Sequence, residues 1–161
     1  MPTPVSFDPS TYNTSTQGVF TLGARYDYLG RIFRYIQAAN GAADANLANG
    51  DVCEWAATAQ GGSTPGTYLV NNVRAGGSSL GRSCAGVAVG TITKNYYGFI
   101  LTAGKHTAVK NTGGSTTVGK SQTIRTATNG EGADAANLYD PEFGTCLLTA
   151  AAGVYTVEVN C

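Results

Sequence analysis

Few residues of this sequence have the type and spacing that catalysis requires. His106 is the single histidine in the 161 residues, so any mechanism that uses an imidazole as general base depends on it. It lies in Gly104-Lys105-His106-Thr107, a segment typical of a strand end or a loop. We therefore expect His106 to be exposed or hydrogen-bonded in a structural role, and we assign no catalytic residue.

Metal, glycosidase and phosphate sites have as little support. The closest pair of carboxylates, Asp140 and Glu142, gives no evidence of the cleft that glycoside hydrolysis needs. The glycine-rich segment 76–83 lacks the G-K-[ST] ending of a phosphate-binding loop. Asp134-Ala135-Ala136-Asn137 lacks the alternating oxygen ligands of a calcium loop. These patterns predict a protein that is not an enzyme and has no metal site and no cofactor.

The composition favours a protein that is packed against others. Charged residues make up 12% of the chain, about half of the roughly 25% that is usual in soluble domains. The net charge is zero, which gives no drive toward nucleic acid or anionic membranes, and no apolar run approaches the ~20 residues of a membrane helix. We expect neither nucleic acid nor membrane as a partner.

The charges are unevenly distributed along the chain. Lys and Arg, but no Asp or Glu, occur between Glu54 and Glu131. After Arg125 the charged residues are all Asp or Glu. Two interpretations remain open. The basic and acidic segments pair between neighbouring subunits, or they interleave within one domain and cancel locally.

The elements that would position any site are β-strands. Segments 19–26 and 31–36 flank Asp27-Tyr28-Leu29-Gly30, and their aromatic and β-branched residues around a glycine-bearing turn predict a hairpin. In the second run, Ile32, Arg34 and Ile36 alternate with Arg31, Phe33 and Tyr35, which assigns them to opposite faces.

Further short strands recur between turn signals, and the 22 glycines of the chain supply turns and bulges. We predict strands at 51–55, 67–70, 84–89, 96–103, 145–148 and 155–159, with shorter ones near Val109, Val118 and Ile124, and one helical turn within 38–49. This pattern predicts an all-β fold, a compact barrel of short strands.

The first 18 residues differ from the rest. They contain Pro2, Pro4 and Pro9 among polar residues and lack the apolar content of a core. We therefore divide the chain into an extended N-terminal arm, 1–18, and a β domain, 19–161. Val5, Phe7 and Tyr12 are spaced as anchors for an arm that adds a strand to a partner's sheet edge.

Several of these runs resemble a known group. Thr21-Leu22-Gly23-Ala24-Arg25-Tyr26 with the hairpin after it, and Gly86-Val87-Ala88-Val89-Gly90 before Tyr97-Gly98-Phe99-Ile100, are similar to strands of tailed-bacteriophage capsid decoration (cement) proteins. Phe143-Gly144-Thr145-Cys146 resembles a later strand of that group, with Cys146 where alanine is common.

The resemblance implies a β-tulip domain without active-site residues, usually trimeric, that cements the capsid from outside. The partners would be the major capsid protein and two further copies of the chain, and the location the exterior of a virion made in the host cytoplasm. For the trimer interface we predict Tyr26, Phe33, Tyr96 and Phe99. The alternatives are another virion part, such as a head fibre base or tail component, and a carbohydrate-binding β module.

The cysteines follow from the expected place of synthesis. Residues 1–10 show no basic or apolar region of a secretory signal, so we expect Cys53, Cys84 and Cys146 to be buried thiols. Cys84 and Cys146 occupy equivalent positions in look-alike strands and are expected to lie close together. A late Cys84–Cys146 or Cys53–Cys161 bridge remains open because virions leave the cell.

Overall fold

The computed structural model describes residues 8–13, 15–39, 46–56, 68–72, 84–111, 116–124, 130–135, 142–151 and 153–161. These residues form a short 3₁₀ helix, Pro9–Tyr12, and ten strands: β1 Arg25–Tyr28, β2 Arg31–Ala38, β3 Val52–Trp55, β4 Leu69–Asn71, β5 Cys84–Ala88, β6 Tyr97–Lys110, β7 Ser121–Ile124, β8 Gly132–Asp134, β9 Glu142–Ala151 and β10 Val154–Asn160. The predicted all-β class is confirmed.

Five of the strands close into a barrel. Its order is β2-β4-β3-β5-β6, and it closes because β6 also pairs with β2. The β2–β4 pair is parallel, and the other pairs are antiparallel. Closure leaves no free edge within the ring, and the predicted compact barrel is confirmed.

The second layer is an open sheet that grows out of β6. Residues Tyr97 to Ala103 of β6 pair with β2, whereas Ala103 to Lys110 pair with β10. Beyond β10 the order is β9-β7-β8. We call the second half of β6, together with β10, β9, β7 and β8, the outer sheet. Gly104 lies at the division with φ 109°, and a Cβ there would lie 2.9 Å from Arg31 Cγ. Glycine is therefore required where β6 leaves the barrel.

The predicted hairpin is present as β1 and β2. Leu29 and Gly30 form a two-residue turn with φ of 53° and 73°, the type I′ geometry that suits antiparallel strands. The first strand begins at Arg25, later than the predicted residue 19. The predicted facing of β2 is confirmed, because Phe33 and Tyr35 join one hydrophobic cluster and Ile36 joins the other.

Two clusters make up the core. One draws on the barrel strands and the turns beside them, and it fills the barrel: Ile36, Ala38, Leu47, Cys53, Val70, Ala85, Ala88, Ile92 and Ile100. The other lies between the barrel wall and the outer sheet: Phe33, Tyr35, Val52, Cys84, Val87, Phe99, Leu101, Val109, Phe143, Cys146, Tyr155, Val157 and Val159.

Two of the three cysteines predicted to be buried thiols are so, and the third is not. Cys53 and Cys146 are buried free thiols as expected, but Cys84 forms a disulfide with Cys161, at a Cα–Cα distance of 5.6 Å. Neither bridge left open by the sequence is present. The pairing follows from the topology, since it joins the start of β5 in the barrel to the end of the outer-sheet strand β10.

Candidate functional site

The outer sheet carries the main exposed apolar surface. Six large apolar side chains are exposed among the described residues. Four of them lie at one end of this sheet, and we call them the outer patch: Val118, Leu147, Leu148 and Val154. Clustered exposure of this kind marks interaction surfaces, whereas scattered apolar residues are ordinary.

Strand register brings the patch together. Leu148 lies opposite Thr156 on β10. Val154 is two residues before Thr156, so the side chain of Val154 lies on the same face of the sheet as those of Thr156 and Leu148. Leu148 is 60% exposed. Gly119 donates its N–H to the carbonyl of Cys146 at 2.8 Å, which places Val118 next to β9. The patch therefore spans β9, β10 and the turn before β7.

The surroundings of the patch are neutral and rich in hydroxyls. One row across four strands contains Lys105, Glu158, Thr145 and Ser121, each opposite the next. Lys105 comes from the basic segment and Glu158 from the acidic one, so here the two segments interleave as the second interpretation of the charge pattern expected. Opposite charges on adjacent strands leave this face without a strong net field.

A buried ion pair lies where the barrel meets the outer sheet. Asp51 is 1% exposed, and its carboxylate lies 2.5 Å from Lys110 Nζ. The same carboxylate accepts hydrogen bonds from the Ala48 N–H at 2.8 Å and from Asn72 Nδ2 at 2.5 Å. All of these partners are the chain's own, and the arrangement ties β3 and β4 to the end of β6.

The predicted interface residues are divided between core and surface. Phe33 and Phe99 are 1% and 0% exposed, so their side chains fill the chain's own core and offer nothing to a second subunit. Tyr26 and Tyr96 are half-buried and keep some surface that a partner can contact. The trimer interface itself stays a prediction.

The arm is more integrated than the sequence indicated. Val5 and Phe7 lie outside the described residues. Tyr12 packs edge-to-face on Phe20 and Phe99, with ring centroids 5.0 and 6.2 Å away. Asn13 is buried, and its Oδ1 accepts the N–H of Phe99 at 3.1 Å. Tyr12 is therefore an anchor on this chain's own domain.

The sequence did contain a signal for this docking. Asp8 caps the 3₁₀ helix by accepting the Ser10 N–H at 2.9 Å, and Pro9 follows at the first position. An Asp-Pro start is a recognised helix-initiation pattern. The pKa of Asp8 is lowered chiefly by its hydrogen bonds from Ser10.

His106 lies inside β6, so the expected strand end or loop is wrong. It is 7% exposed, and its Nδ1 accepts the Ala108 N–H at 3.2 Å. Burial lowers the pKa of His106, with a smaller effect of Arg31 in the same direction, while a hydrogen bond to the backbone of Ala88 opposes both. The expected hydrogen-bonded structural role is what the geometry shows.

Other candidates for chemistry give no site in the described part of the chain. No group of three or more His, Cys, Asp and Glu able to hold a metal occurs there. Asp134 instead accepts hydrogen bonds from Thr117 and Gln122. Asp140 and segment 76–83 lie outside the described residues. That segment contains Gly77-Ser78-Ser79-Leu80-Gly81, which has the G-x-S-x-G spacing of the nucleophile turn of hydrolases.

One cavity lies beside the hairpin, between the 3₁₀ helix and β2. Its volume is about 140 Å³, below the ~300 Å³ at which small-molecule pockets begin. Its lining contains Asp8, Tyr28, Arg31 and Phe33, and Arg31 covers the Phe33 ring at 5.4 Å. Separately, none of the described helices is long and apolar enough to cross a membrane.

Comparison with known proteins gives one structural likeness. No family model matches the sequence, and no curated protein matches it. The fold is similar to "The crystal structure of head fiber gp8.5 N base in bacteriophage phi29", at 15% identity and a TM-score of 0.49, over 80% of this chain and 92% of that chain. A likeness at this identity and score says nothing about function.

Proposed function

We propose that this protein is a structural subunit that binds the outside of a tailed-phage head and stabilises its lattice, as a decoration protein does. The observation that carries the proposal is the outer patch on a neutral, hydroxyl-rich sheet face. The resemblance of the β1–β2, β5 and β6 sequences to capsid decoration proteins supports the choice of a phage shell, with the major capsid protein as partner.

The free energy of burying this face depends on its apolar side chains, its hydroxyls and its oppositely charged pair. Exposed Leu148 and Val154 lose contact with water when covered, while the hydroxyl of Thr145 can either donate a hydrogen bond to a partner or accept one from it. Lys105 and Glu158 lie opposite each other, so neither charge has to be buried without an opposite charge beside it. Such a face is covered by another protein at small desolvation cost.

The N-terminal arm is proposed as a second contact. Val5 and Phe7 are two residues apart and project to the same side of an extended chain, so they fit pockets beside a capsid strand to which the arm adds. Because Tyr12 and Asn13 are built into the domain, the segment that is spared for this contact ends before Asp8.

The trimer is part of the same proposal. Cyclic closure suits a subunit placed at a threefold or quasi-threefold position of a shell. Sedimentation velocity of the free protein, and the symmetry of its density on decorated heads, test this. A strict monomer in both states contradicts it.

Binding to purified heads that lack the protein tests the function. We expect saturable binding of the wild type, and at least about tenfold weaker binding of Leu148→Lys, since a charge placed in the centre of an apolar contact removes an anchor. Leu29→Lys is the matched control, because Leu29 is 76% exposed on the hairpin turn, away from the patch. Equal affinity of the two variants would overturn the role of the patch, and absence of wild-type binding would overturn the decoration function.

Deletion of residues 2–7 tests the arm. We expect the truncated protein to fold with an unchanged unfolding midpoint and to bind heads more weakly. Binding as tight as that of the full chain contradicts the arm's role. Immunogold labelling of virions separates the decoration function from a fibre or tail location, and a glycan array tests the carbohydrate-binding alternative.

A further inference from the structure

The strand β1 is one edge of the ten-stranded sheet. Its sequence is Arg25-Tyr26-Asp27-Tyr28, in which Arg25 and Asp27 are exposed and the two tyrosines are half-buried. It pairs with β2 on one side, and among the described residues no strand pairs with its other side. Two residues of opposite charge therefore alternate along an edge strand.

The main-chain groups on this open side can be assigned from the turn. The type I′ turn at Leu29 and Gly30 makes Tyr28 and Arg31 a hydrogen-bonded pair. Hydrogen-bonded and non-hydrogen-bonded pairs alternate in antiparallel sheets, so Tyr26 and Phe33 form the next hydrogen-bonded pair. The N–H and C=O groups of Arg25 and Asp27 consequently point away from β2.

We propose that this edge pairs with the same edge of a second copy, antiparallel about a twofold axis at Tyr26. In that register Arg25 of each copy faces Asp27 of the other, and the four outward main-chain groups of each copy all find partners. Both pairs are hydrogen-bonded and carry opposite charges on the exposed face. The two Tyr26 residues face each other between them.

The charges select this register over its neighbours. A shift of two residues in one direction puts Arg25 opposite Arg25, and a shift in the other puts Asp27 opposite Asp27, and like charges in direct opposition are destabilising. A shift of one residue turns the outward main-chain groups away from their partners. An edge of a single charge sign would repel its own copy, whereas this one is complementary to it.

This contact is independent of the proposed function and engages two copies only. Tyr26, one of the residues predicted for the trimer interface, is engaged in this twofold contact. A trimer therefore has to form through another surface, such as that around the half-buried Tyr96, and the twofold contact then joins one trimer to the next. A four-residue edge is short, so the association is weak in dilute solution and is best captured covalently.

Cysteine pairing tests the register directly. In the proposed dimer, position 25 of one copy and position 27 of the other form a hydrogen-bonded pair with Cα atoms about 5.5 Å apart, which is within the range of a disulfide. Under mild oxidation, Arg25→Cys mixed with Asp27→Cys should give a disulfide-linked dimer, and either variant alone should give none. Thr107→Cys, an exposed position on β6, mixed with Arg25→Cys reports random collision.

A disulfide-linked dimer that forms in the mixture of Arg25→Cys and Asp27→Cys, but in neither variant by itself, supports the contact. A dimer formed by Arg25→Cys with itself overturns it, and so does a mixture that gives no more dimer than the Thr107→Cys control. As a second measurement that leaves the cysteines native, Arg25→Asp and Asp27→Arg should each reduce dimer at high protein concentration, and the double variant should restore it. Failure of the double variant to restore the dimer contradicts the proposed charge pairing.

Discussion

The barrel and the outer sheet are made of similar strands but differ in what surrounds them. The barrel closes on itself through β2 and β6, and its inward side chains such as Ile36 and Ile100 are fully buried. The outer sheet is covered on one face, while its other face presents Leu148 at 60% exposure. The barrel is thus complete within one chain, whereas the outer sheet has surface left for another protein.

This difference separates the barrel, which carries its own closed core, from the sheet that the proposed function uses. Besides strand β6, which both regions share, and the hydrophobic cluster between them, three specific features join the two regions: the Cys84–Cys161 disulfide, the Asp51–Lys110 ion pair and the buried His106. Each joins a barrel strand or its flanking loop to β6 or β10. Perturbing them one at a time shows how far the outer sheet depends on the barrel.

The largest effect is expected at the disulfide. Its two cysteines are 77 residues apart, and closing a loop of that length stabilises the oxidised protein by about 4.5 kcal/mol in the chain-entropy treatment. Cys161→Ser should lower the free energy of unfolding in urea by about that amount. Hydrogen exchange should rise first in β10 and β9, because the lost tether is at the end of β10.

Reductant provides the control for that variant. Wild type with dithiothreitol should unfold at nearly the midpoint of Cys161→Ser, and the variant should not respond to dithiothreitol. If the reduced wild type keeps its original midpoint, the bridge does not stabilise the connection between the two regions.

The barrel strands were predicted from the sequence more accurately than the strands of the outer sheet. The hairpin was predictable because Leu29-Gly30 stands between two alternating runs, and β3, β4 and β5 were found within a few residues. In the outer sheet, β6 was predicted to end near Ala103, since Gly104 and His106 are typical of a strand end. In the sequence, a glycine at which a strand bends looks the same as a glycine at which a strand ends. Gly104 is of the first kind, because β6 continues beyond it by pairing with β10.

The site was less predictable than the fold. Phe33 and Phe99 were expected at an interface, but aromatic strand residues look the same in sequence whether they face a core or a partner. Cysteine connectivity is not encoded in spacing, so Cys161 as the partner of Cys84 emerged only from the strand order. The Asp134-containing strand β8 is three residues long and has no alternation to detect.

A smaller effect is expected at Asp51. Asp51→Ala removes a buried carboxylate that binds Lys110, Asn72 and the Ala48 N–H, and loss of one partner of a buried pair costs about 3 kcal/mol. The Lys110 side chain is 37% exposed and regains water, which keeps the loss at the lower end of the usual range.

Lys110→Met is the matched variant for the other partner. It leaves the Asp51 carboxylate, which is 1% exposed, with its two hydrogen bonds but without an opposite charge, so we expect a loss of similar size to that of Asp51→Ala in urea unfolding. A clearly smaller loss for Lys110→Met would show that the hydrogen bonds, and not the ion pair, hold β3 against the end of β6.

The smallest effect concerns His106, the buried residue of β6 that lies opposite Val157 of the outer sheet and bonds to the backbone of Ala88 in the barrel. Because burial lowers the pKa of His106 below its ordinary value of 6.5, the unfolded chain binds a proton more readily than the folded one. The stability that this residue contributes is therefore full above about pH 6.5 and falls as the pH drops below that value, by at most about 1.4 kcal/mol per pH unit.

His106→Gln, which does not titrate, should show a flatter stability profile between about pH 6.5 and 5. Asp8 and Asp134 have pKa values lowered below that of an ordinary carboxyl, so they do not titrate in this window. Parallel profiles of wild type and variant would show that protonation of His106 does not loosen the junction, and the pH sensitivity of the outer sheet would then have to come from other groups.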